Sequence, residues 1–299
     1  MKKLIFFIAV LFLGCANKEI PKWYLKNYPD NNEFIYATGE GKNKKEATNS
    51  ALNEIISKIE ITLSSNIDIQ KSVINSNGKT SAYENISQII KTYIPKTKIY
   101  DYKILKTAKD SKYYVLIAVN KIKNANLIYD KAQKEIQLIR NSMSNDEIYI
   151  LKKYPKLIKQ TNKIISNLYF AYTMFPSPKI KHLIQKANNL KNILIKQYNN
   201  VGFEIKKDYA NILKETLSSL NFPLKKGIKS YINANVTRQK VMDYYITTIN
   251  MTVLLKDKSE MVIGLICSGK SINNYNLAQS FALKECKKRL KEKLLKISR

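Results

Sequence analysis

Eight residues near the C-terminus have the letters of a phosphate-binding loop. Gly264 to Ser271, GLICSGKS, fits the pattern G-x-x-x-x-G-K-[ST]. In such a loop the glycines let successive backbone N–H groups wrap a phosphate between a strand and a helix. Here the residues after Gly264 continue an apolar, β-rich run, which predicts that Gly264 lies within a strand. Only 28 residues follow Ser271, and no metal-binding aspartate is recognisable after a second parallel strand, so the sequence favours a strand over a nucleotide site.

Two other candidates for chemistry are weaker. Gly39 and Gly41 open the sequence GEGKNK like a dinucleotide-binding loop, but Lys44 stands where the third glycine belongs. A tight turn that lets an alanine-rich helix lie close to a sheet explains both glycines without a ligand. His182 is the only histidine and is predicted to be exposed on a helix, so a histidine-based metal cluster is excluded. We predict no catalytic, cofactor-binding or metal-binding residue, and a protein that is not an enzyme.

The N-terminus has the pattern of an export signal. Lys2 and Lys3 precede ten apolar residues, Leu4 to Leu13, and Gly14 supplies a small residue before Cys15. A bilayer-spanning helix needs about 17–25 apolar residues, so this run is too short to remain as a transmembrane anchor. We therefore expect signal cleavage between Gly14 and Cys15.

The residues around the predicted cleavage site could also attach lipid. Phe12-Leu13-Gly14-Cys15 resembles the lipobox of bacterial lipoproteins, although Phe12 replaces the usual leucine. The resemblance implies that the Cys15 thiol is alkylated by a diacylglycerol carrying acyl chains such as palmitate. Ala16 follows, whereas an aspartate there marks inner-membrane retention in lipoproteins, so we predict the outer membrane. The alternative, a buried cysteine that ends the first helix of a soluble protein, leaves the basic start and the apolar run unexplained.

The composition is strongly basic but does not indicate nucleic-acid binding. The formal net charge is +29, and loss of Lys2 and Lys3 with the signal would reduce it to +27. The lysines are spread along the whole chain, and no RNP-like, zinc-finger or helix-turn-helix pattern is recognisable. We predict no nucleic-acid partner and a weak attraction to anionic groups of the envelope such as lipopolysaccharide phosphates.

The hydrophobic pattern divides the chain into five segments. They are a signal peptide over 1–14, a lipidated tether over 15–21, an α+β domain over 22–123, a helical hairpin over 124–200 and a C-terminal α+β domain over 201–299. The predicted fold class is α+β, with two small helix-on-antiparallel-sheet domains joined by the helical hairpin.

The first domain is predicted as one helix on an antiparallel sheet. Its segments are a strand over 33–38, a helix over 43–65, extended runs over 67–74, 98–108 and 112–120, and residues 84–94, which fit helix and strand equally. Asn43 is a good N-cap, with Glu46 three residues later. We label this predicted helix α1. One apolar stripe follows it, the α1 stripe: Ala47, Ala51, Ile55, Ile59 and Leu63.

The middle of the chain reads as helical. Two prolines interrupt the pattern at Phe175 to Pro178, and Pro155 indicates a kink or a helix start. The apolar stripes could pack within the chain or across a partner as a coiled coil, and the lack of sustained heptads favours the first.

The last third predicts a helix over 206–220, two or three strands and a terminal helix from about Asn274. Cys267 shares a strand face with other apolar residues: Met261, Ile263 and Leu265. We label the terminal helix α6. Cys286 lies on its apolar stripe, the α6 stripe: Ala278, Ala282, Cys286, Leu290 and Leu294. Both cysteines are predicted to face one core, either as a disulfide or as two buried thiols.

A short internal match suggests two related strand-glycine-helix units. ATNSALNEI from Ala47 and AQSFALKEC from Ala278 share the spacing A-x-x-x-A-L-x-E, and each follows a strand and a glycine. Duplication and chance both remain open for a match of this length.

The residues of the first domain also resemble a known family. The matching positions are Trp23, Pro29, Tyr36 to Gly41, Glu46-Ala47, Ala51 to Ile55 and the strand Tyr113 to Val119. Over residues 22–122 the chain resembles the N-terminal part of the LPP-twenty lipoprotein family, bacterial outer-membrane lipoproteins that include proteins associated with the flagellar basal structure. The resemblance implies an α+β domain that faces the periplasm or the cell surface and has no catalytic residues to carry over. The helical middle and the second α+β domain depart from the short members of that family.

These observations predict a non-enzymatic outer-membrane lipoprotein that acts as an envelope scaffold or interaction protein. Its expected partners are the membrane, through Cys15, and envelope proteins, which include flagellar or outer-membrane components. The alternative is a periplasmic carrier or assembly lipoprotein that binds a lipid or glycolipid in a groove between helix and sheet. A contiguous apolar cavity in the C-terminal domain would favour the carrier, and a solid core with exposed aromatic patches would favour the scaffold.

Overall fold

The computed structural model describes residues 20–74, 88–89, 91–94 and 97–297. They combine helices with a three-stranded and a four-stranded sheet, so the predicted α+β class is confirmed. Of the ambiguous segment 84–94, the described residues are helical and the others lie outside the described residues.

The chain forms two compact units, each with its own sheet. The first unit takes Met1–Glu135 and Lys163–Gln185, and the second takes Ile136–Asn162 and Lys186–Arg299. The five segment boundaries given above stay a prediction.

The first unit contains a three-stranded antiparallel sheet and one long helix. Its elements are β1 (Phe34–Gly41), α1 (Lys44–Ile74), β2 (Tyr102–Lys109) and β3 (Tyr113–Asn120). The strand order is β1-β3-β2, and the central β3 pairs antiparallel with both neighbours. The predicted hairpin between the last two strands is confirmed.

Local chemistry determines where α1 begins and which face it buries. The Asn43 side-chain oxygen accepts the Glu46 N–H at 2.9 Å, and the Glu46 carboxylate accepts the Lys42 N–H at 3.0 Å, so the predicted capping pair is confirmed. Every residue of the α1 stripe is buried, which confirms the predicted packing face. The stripe therefore fixes how α1 lies on the sheet.

The prediction of an extended run over 67–74 is wrong, because α1 continues as a helix to Ile74. Apolar and polar residues alternate in this run, which is typical of a strand. A helix that is already nucleated extends at little cost, so the alternation does not decide the backbone conformation here.

Three helices follow the first sheet: α2 (Lys121–Asn141), α3 (Glu147–Met174) and α4 (Pro178–Asn199). The helical character predicted over 124–200 is confirmed, and so is the break at the two prolines before α4. The chain also breaks between α2 and α3, so there are three helices in place of a two-helix hairpin. Pro155 lies inside α3 and does not start a helix. Each of the three helices contributes residues to both units.

The second unit contains a four-stranded mixed sheet. Its elements are β4 (Phe203–Lys207), α5 (Ile212–Ser219), β5 (Ile228–Val241), β6 (Tyr244–Lys256), β7 (Glu260–Ser271) and α6 (Tyr275–Ile297). The strand order is β4-β5-β6-β7, with β4 parallel to β5 and the other pairs antiparallel. The three later strands and the terminal helix are confirmed, whereas a purely antiparallel sheet is wrong because of β4.

Asp208 explains why the predicted helix over 206–220 starts later, at Ile212. The Asp208 carboxylate accepts the N–H groups of Leu213 and Lys214, each at 3.0 Å. A carboxylate that binds the first free N–H groups of a helix stabilises the helix start at that place. The residues before Asp208 pair with β5 instead.

The two strand-glycine-helix units have the same packing. Gly39 on β1 lies so close to the first two residues of the α1 stripe that a β-carbon would overlap helix backbone. Gly269 on β7 lies in the same way against the first two residues of the α6 stripe. The A-x-x-x-A-L-x-E match therefore marks one structural position in both units.

The helix starts and the strand order extend this likeness. Asn274 accepts the Leu277 N–H at 2.8 Å and caps α6, as Asn43 caps α1. In each sheet the glycine strand lies at one edge, and its neighbour and the third strand form a hairpin, in the orders β1-β3-β2 and β7-β6-β5. The hairpin follows the helix along the chain in the first unit and precedes the glycine strand in the second. The glycine strand, its helix and the hairpin therefore have the same spatial order in both units, and their order along the chain differs by a circular permutation.

Candidate functional site

The predicted lipidation and cleavage residues, Cys15 and Gly14, lie outside the described residues, so both assignments stay predictions. The described chain begins at Ile20 and reaches β1 at Phe34. Residues 20–33 are the segment through which a lipid on Cys15 would hold the first unit.

This segment frames a polar cleft together with β1 and α1. The cleft has a volume of about 440 Å³. Its walls carry three phenol rings, one carboxylate and two ammonium groups: Tyr24, Tyr28, Tyr36, Glu54, Lys26 and Lys58. Such walls suit hydrogen bonding to, and ring stacking with, a polar ligand. The only histidine of the chain lies elsewhere, on α4, so the cleft contains no nucleophile with a histidine base.

Asp30 and Lys58 both bond to the backbone at the outer edge of β1, and Lys58 also lines this cleft. The Asp30 carboxylate accepts the Tyr36 N–H at 2.9 Å, and Lys58 Nζ donates to the Tyr36 carbonyl oxygen at 2.7 Å. The two charged groups lie 3.9 Å apart. Free N–H and C=O groups on an edge strand invite pairing with another chain. At Tyr36 both groups are already bonded, so β1 cannot add a further strand there.

Tyr24 lines the same cleft. Its ring meets the Tyr114 ring edge-on, with 4.8 Å between the centroids. Burial raises the pKa of the Tyr24 phenol, and the Glu40 carboxylate raises it further, because both disfavour a phenolate. Glu40 also pairs with Lys112 at 2.6 Å, and that hydrogen bond raises the pKa of Lys112. Tyr24 is therefore a neutral hydrogen-bond donor at physiological pH.

The phosphate-loop pattern lies within a strand, as predicted. Residues Gly264 to Ser271 pair with β6 one by one. Lys293 on α6 donates to the Gly264 carbonyl oxygen at 2.7 Å, and the Lys270 ammonium lies 3.5 Å from the centroid of the Tyr244 ring. Successive N–H groups of a strand point to opposite sides, so they cannot wrap one phosphate.

The other candidates for chemistry also have structural explanations. His182 is exposed on α4, as predicted. The close approach of α1 to the sheet explains Gly39. Among the described residues, no three His, Cys, Asp or Glu side chains are grouped so that they could hold a metal ion. Within the same ranges, no helix has both the length and the apolar character needed to cross a membrane.

Cys267 on β7 and Cys286 on α6 form a disulfide, with the two Cα atoms 5.4 Å apart. The sequence left a disulfide and two buried thiols as alternatives, and the structure shows the bond. Both residues are fully buried, so the predicted shared core is confirmed. The disulfide ties an edge strand to the helix that covers its sheet. Such bonds persist in oxidising compartments outside the cytoplasm.

The opposite face of the second sheet is exposed. Residues of β7 alternate between buried and exposed along its whole length. Val262 and Ile266 each expose 64% of their surface, with Gly264 between them. A shallow cleft of about 530 Å³ lies over Gly264 and is flanked by Asn250 and Thr252 on β6. We call this surface the outer face of the second sheet.

Comparison with known proteins bears on the first unit. Residues 21–120 match the family model described as LPP20 lipoprotein. This segment matches the LPP-twenty family. The match ends at Asn120, the last residue of β3, so the LPP20 segment contains β1, α1, β2 and β3. The resemblance proposed from the sequence is thereby confirmed, and it supports a lipoprotein with a membrane-anchored location in the envelope.

Two further comparisons cover the whole chain. No curated protein matches it. The crystal structure of the secreted protein HP1454 from the human pathogen Helicobacter pylori is similar at 15% identity, with a TM-score of 0.45, over 88% of this chain and 97% of that chain.

Sequence reasoning missed Asp30 and Lys58. A sequence signal exists for Lys58. When the two strand-glycine-helix segments are aligned at the first alanine of each stripe, Lys58 of the first segment aligns with Arg289 of the second. Arg289 donates to the Ile266 carbonyl oxygen at 2.8 Å, as Lys58 does to that of Tyr36. A basic residue at matching positions of two related helices could therefore have predicted a bond to the edge strand.

Proposed function

We propose that the protein is a non-enzymatic lipoprotein of the outer membrane, anchored by lipid on Cys15, and that its folded units contact other envelope proteins. The observation that carries this proposal is the position of the LPP20 match, which starts at residue 21, six residues after Cys15. A lipobox-like sequence and a domain of a lipoprotein family follow one another in the order that an exported, anchored protein requires. Two or three acyl chains, at about 0.8 kcal/mol per buried methylene, give a stable anchor.

The packing of the second unit favours a scaffold over a lipid carrier. A carrier needs an apolar groove between helix and sheet. Gly269 instead brings α6 against the sheet, and the disulfide joins the helix to β7. Two exposed aliphatic residues of this sheet, Val262 and Ile266, lie on its outer face. Exposed apolar patches bordered by polar residues are typical of protein contact surfaces.

Metabolic labelling tests the anchor. Cells that express the wild-type protein are grown with radioactive palmitate, and we expect label on the wild-type protein and none on a Cys15→Ala variant. The Cys15→Ala variant should also leave the membrane fraction and keep its fold. A Cys267→Ala/Cys286→Ala variant is the control, and it should label like the wild type because its Cys15 is intact. Label on Cys15→Ala, or its sedimentation with membranes after a high-salt wash, would contradict the anchor.

Photocrosslinking tests the scaffold. A photoreactive amino acid at Ile266, on the outer face of the second sheet, should give adducts with envelope proteins in living cells. The control position is Leu138 on α2, which is 65% exposed, against 64% for Ile266. Adducts that contain lipid at Ile266, or equal protein adducts at both positions, would count against a scaffold.

A further inference from the structure

The β5-β6 hairpin ends in exposed apolar side chains at one end of the second sheet. Four residues, the tip patch, expose 46%, 86%, 39% and 67% of their surface: Val241, Met242, Tyr244 and Ile272. Val241 pairs with Tyr244 across the turn. Ile272 directly follows Ser271, the last residue of β7. Ser271 pairs with Tyr245, the neighbour of Tyr244 on β6. The tip patch therefore lies at a single edge of the unit.

The turn holds Met242 in an unfavourable conformation. Met242 and Asp243 form a two-residue connection between β5 and β6, and the φ angle of Met242 is 53°. Glycine is the residue that suits a positive φ at this place in a hairpin. A methionine here costs conformational energy and also exposes 86% of an apolar side chain to water. Strain of this kind is concentrated at binding and catalytic sites.

Two lysines stand beside the tip patch. The Lys270 ammonium lies 3.5 Å from the centroid of the Tyr244 ring, and the Lys240 ammonium lies 5.2 Å from that of Tyr245. Aromatic rings with lysines around an apolar tip are the combination found where proteins meet the headgroup layer of a membrane. The rings and ammonium groups suit the headgroups, and the aliphatic tip suits the acyl chains.

We infer that the tip patch docks onto the surface of an anionic phospholipid bilayer. The inference rests on the proposed lipid anchor, which would keep the hairpin near a membrane. Four apolar side chains are few beside the roughly 20–30 residues that each partner contributes to a stable protein interface. They suffice for a shallow second contact that adds to an acyl anchor. The net charge of +27 that would remain after signal cleavage favours the same anionic surface.

Tryptophan fluorescence of the full-length protein in reconstituted vesicles tests the docking. A Trp23→Phe change removes the only tryptophan, and Met242→Trp in that background places a reporter in the tip patch. The matched control is Leu138→Trp, at a leucine that is 65% exposed on α2. The vesicles contain phosphatidylcholine alone or with phosphatidylglycerol, and their acyl chains are brominated to quench the fluorescence. We expect a blue shift and quenching for Met242→Trp in the phosphatidylglycerol vesicles only, and neither for Leu138→Trp.

The role of charge is tested in the same assay. Lys240→Gln and Lys270→Gln should each lower the ratio of docked to undocked protein about fivefold. This fold-change corresponds to the free energy with which an anionic surface attracts one lysine. Added salt should weaken quenching, because it screens the exposed lysines. Equal quenching in neutral vesicles would overturn the role of charge and with it the inference.

Sedimentation with the vesicles, measured in parallel, separates the anchor from the tip. Protein that sediments without quenching of the Met242→Trp variant would overturn the docking and leave the anchor intact. Protein that fails to sediment would overturn both. Equal quenching of the Met242→Trp and Leu138→Trp variants would show adsorption through no particular face and would also overturn the docking.

Discussion

Two glycines on β7 form a matched pair that tests how α6 packs. A β-carbon at Gly269 would overlap the backbone of Ala278, whereas no atom lies within 4 Å of one at Gly264. Overpacking against a helix backbone predicts that Gly269→Ala lowers the free energy of unfolding by about 2–3 kcal/mol. Gly264→Ala should change it by less than about 1 kcal/mol. Urea unfolding measures both variants, and equal losses would contradict the packing of α6 on β7.

Two adjacent carboxyl groups near the start of α3 have pKa values that are shifted in opposite directions. Burial alone would raise the pKa of Asp146, but hydrogen bonds from Ser259 and from backbone N–H groups outweigh it and lower that pKa. Burial raises the pKa of Glu147, and the nearby Asp257 carboxylate raises it further. Hydrogen bonds that backbone N–H groups donate to Glu147 lower its pKa, but they do not cancel the rise. Hydrogen bonding therefore determines the direction of the pKa shift of Asp146, and desolvation determines that of Glu147.

These shifts predict opposite pH dependences. The lowered pKa of Asp146 adds stability above its unfolded pKa that is lost as the pH falls through the folded value, so the advantage of wild type over Asp146→Asn should shrink on acidification. The contribution of Glu147 is present at low pH and lost as the pH rises through its raised pKa. Glu147→Gln should therefore gain on wild type as the pH rises above the ordinary glutamate pKa of about 4.3. Urea unfolding measures the Asp146 difference as the pH falls below about 4, the ordinary pKa of an aspartate, and the Glu147 difference as the pH rises above it. Trends of the same sign with pH would refute the assignment.

At the scale of the elements, local patterns could be predicted and distant pairings could not. The α1 and α6 stripes and the cap at Asn43 depend on residues within a few positions of one another, so the sequence predicted them. Strand β4 has only five residues, and it pairs with residues of β5 that lie more than 20 positions further along the chain. In the cleft, Lys58 bonds to the carbonyl of Tyr36, which lies 22 positions away, and only the folded unit brings the two together.

The disulfide between β7 and α6 gives a testable prediction at this scale. The Cys267–Cys286 disulfide closes a loop with a sequence separation of 19 residues. Loops of about this length contribute roughly 3 kcal/mol when cross-linked, so a reductant should lower the free energy of unfolding by about 2–4 kcal/mol. The Cys267→Ala/Cys286→Ala variant is the control and should not respond to the reductant. Wild-type protein that unfolds at the same urea concentration with and without reductant would be inconsistent with the bond.

At the scale of the whole molecule, two permuted copies of one strand-glycine-helix arrangement follow a single N-terminal cysteine. Each copy places a basic side chain, Lys58 or Arg289, on the carbonyl groups of its edge strand, which blocks pairing of those edges at these points. Candidate binding surfaces among the described residues include the cleft of the LPP20 segment, the outer face of the second sheet and the tip patch. Proteins held at a membrane can use several such weak contacts together.

The intact mass of the protein purified from membranes tests the central claim most directly. Lipid anchoring predicts a polypeptide that begins at Cys15 and carries the added mass of a diacylglycerol on its sulfur, with or without a third acyl chain on its α-amino group. An unmodified polypeptide that still begins at Met1 would contradict it.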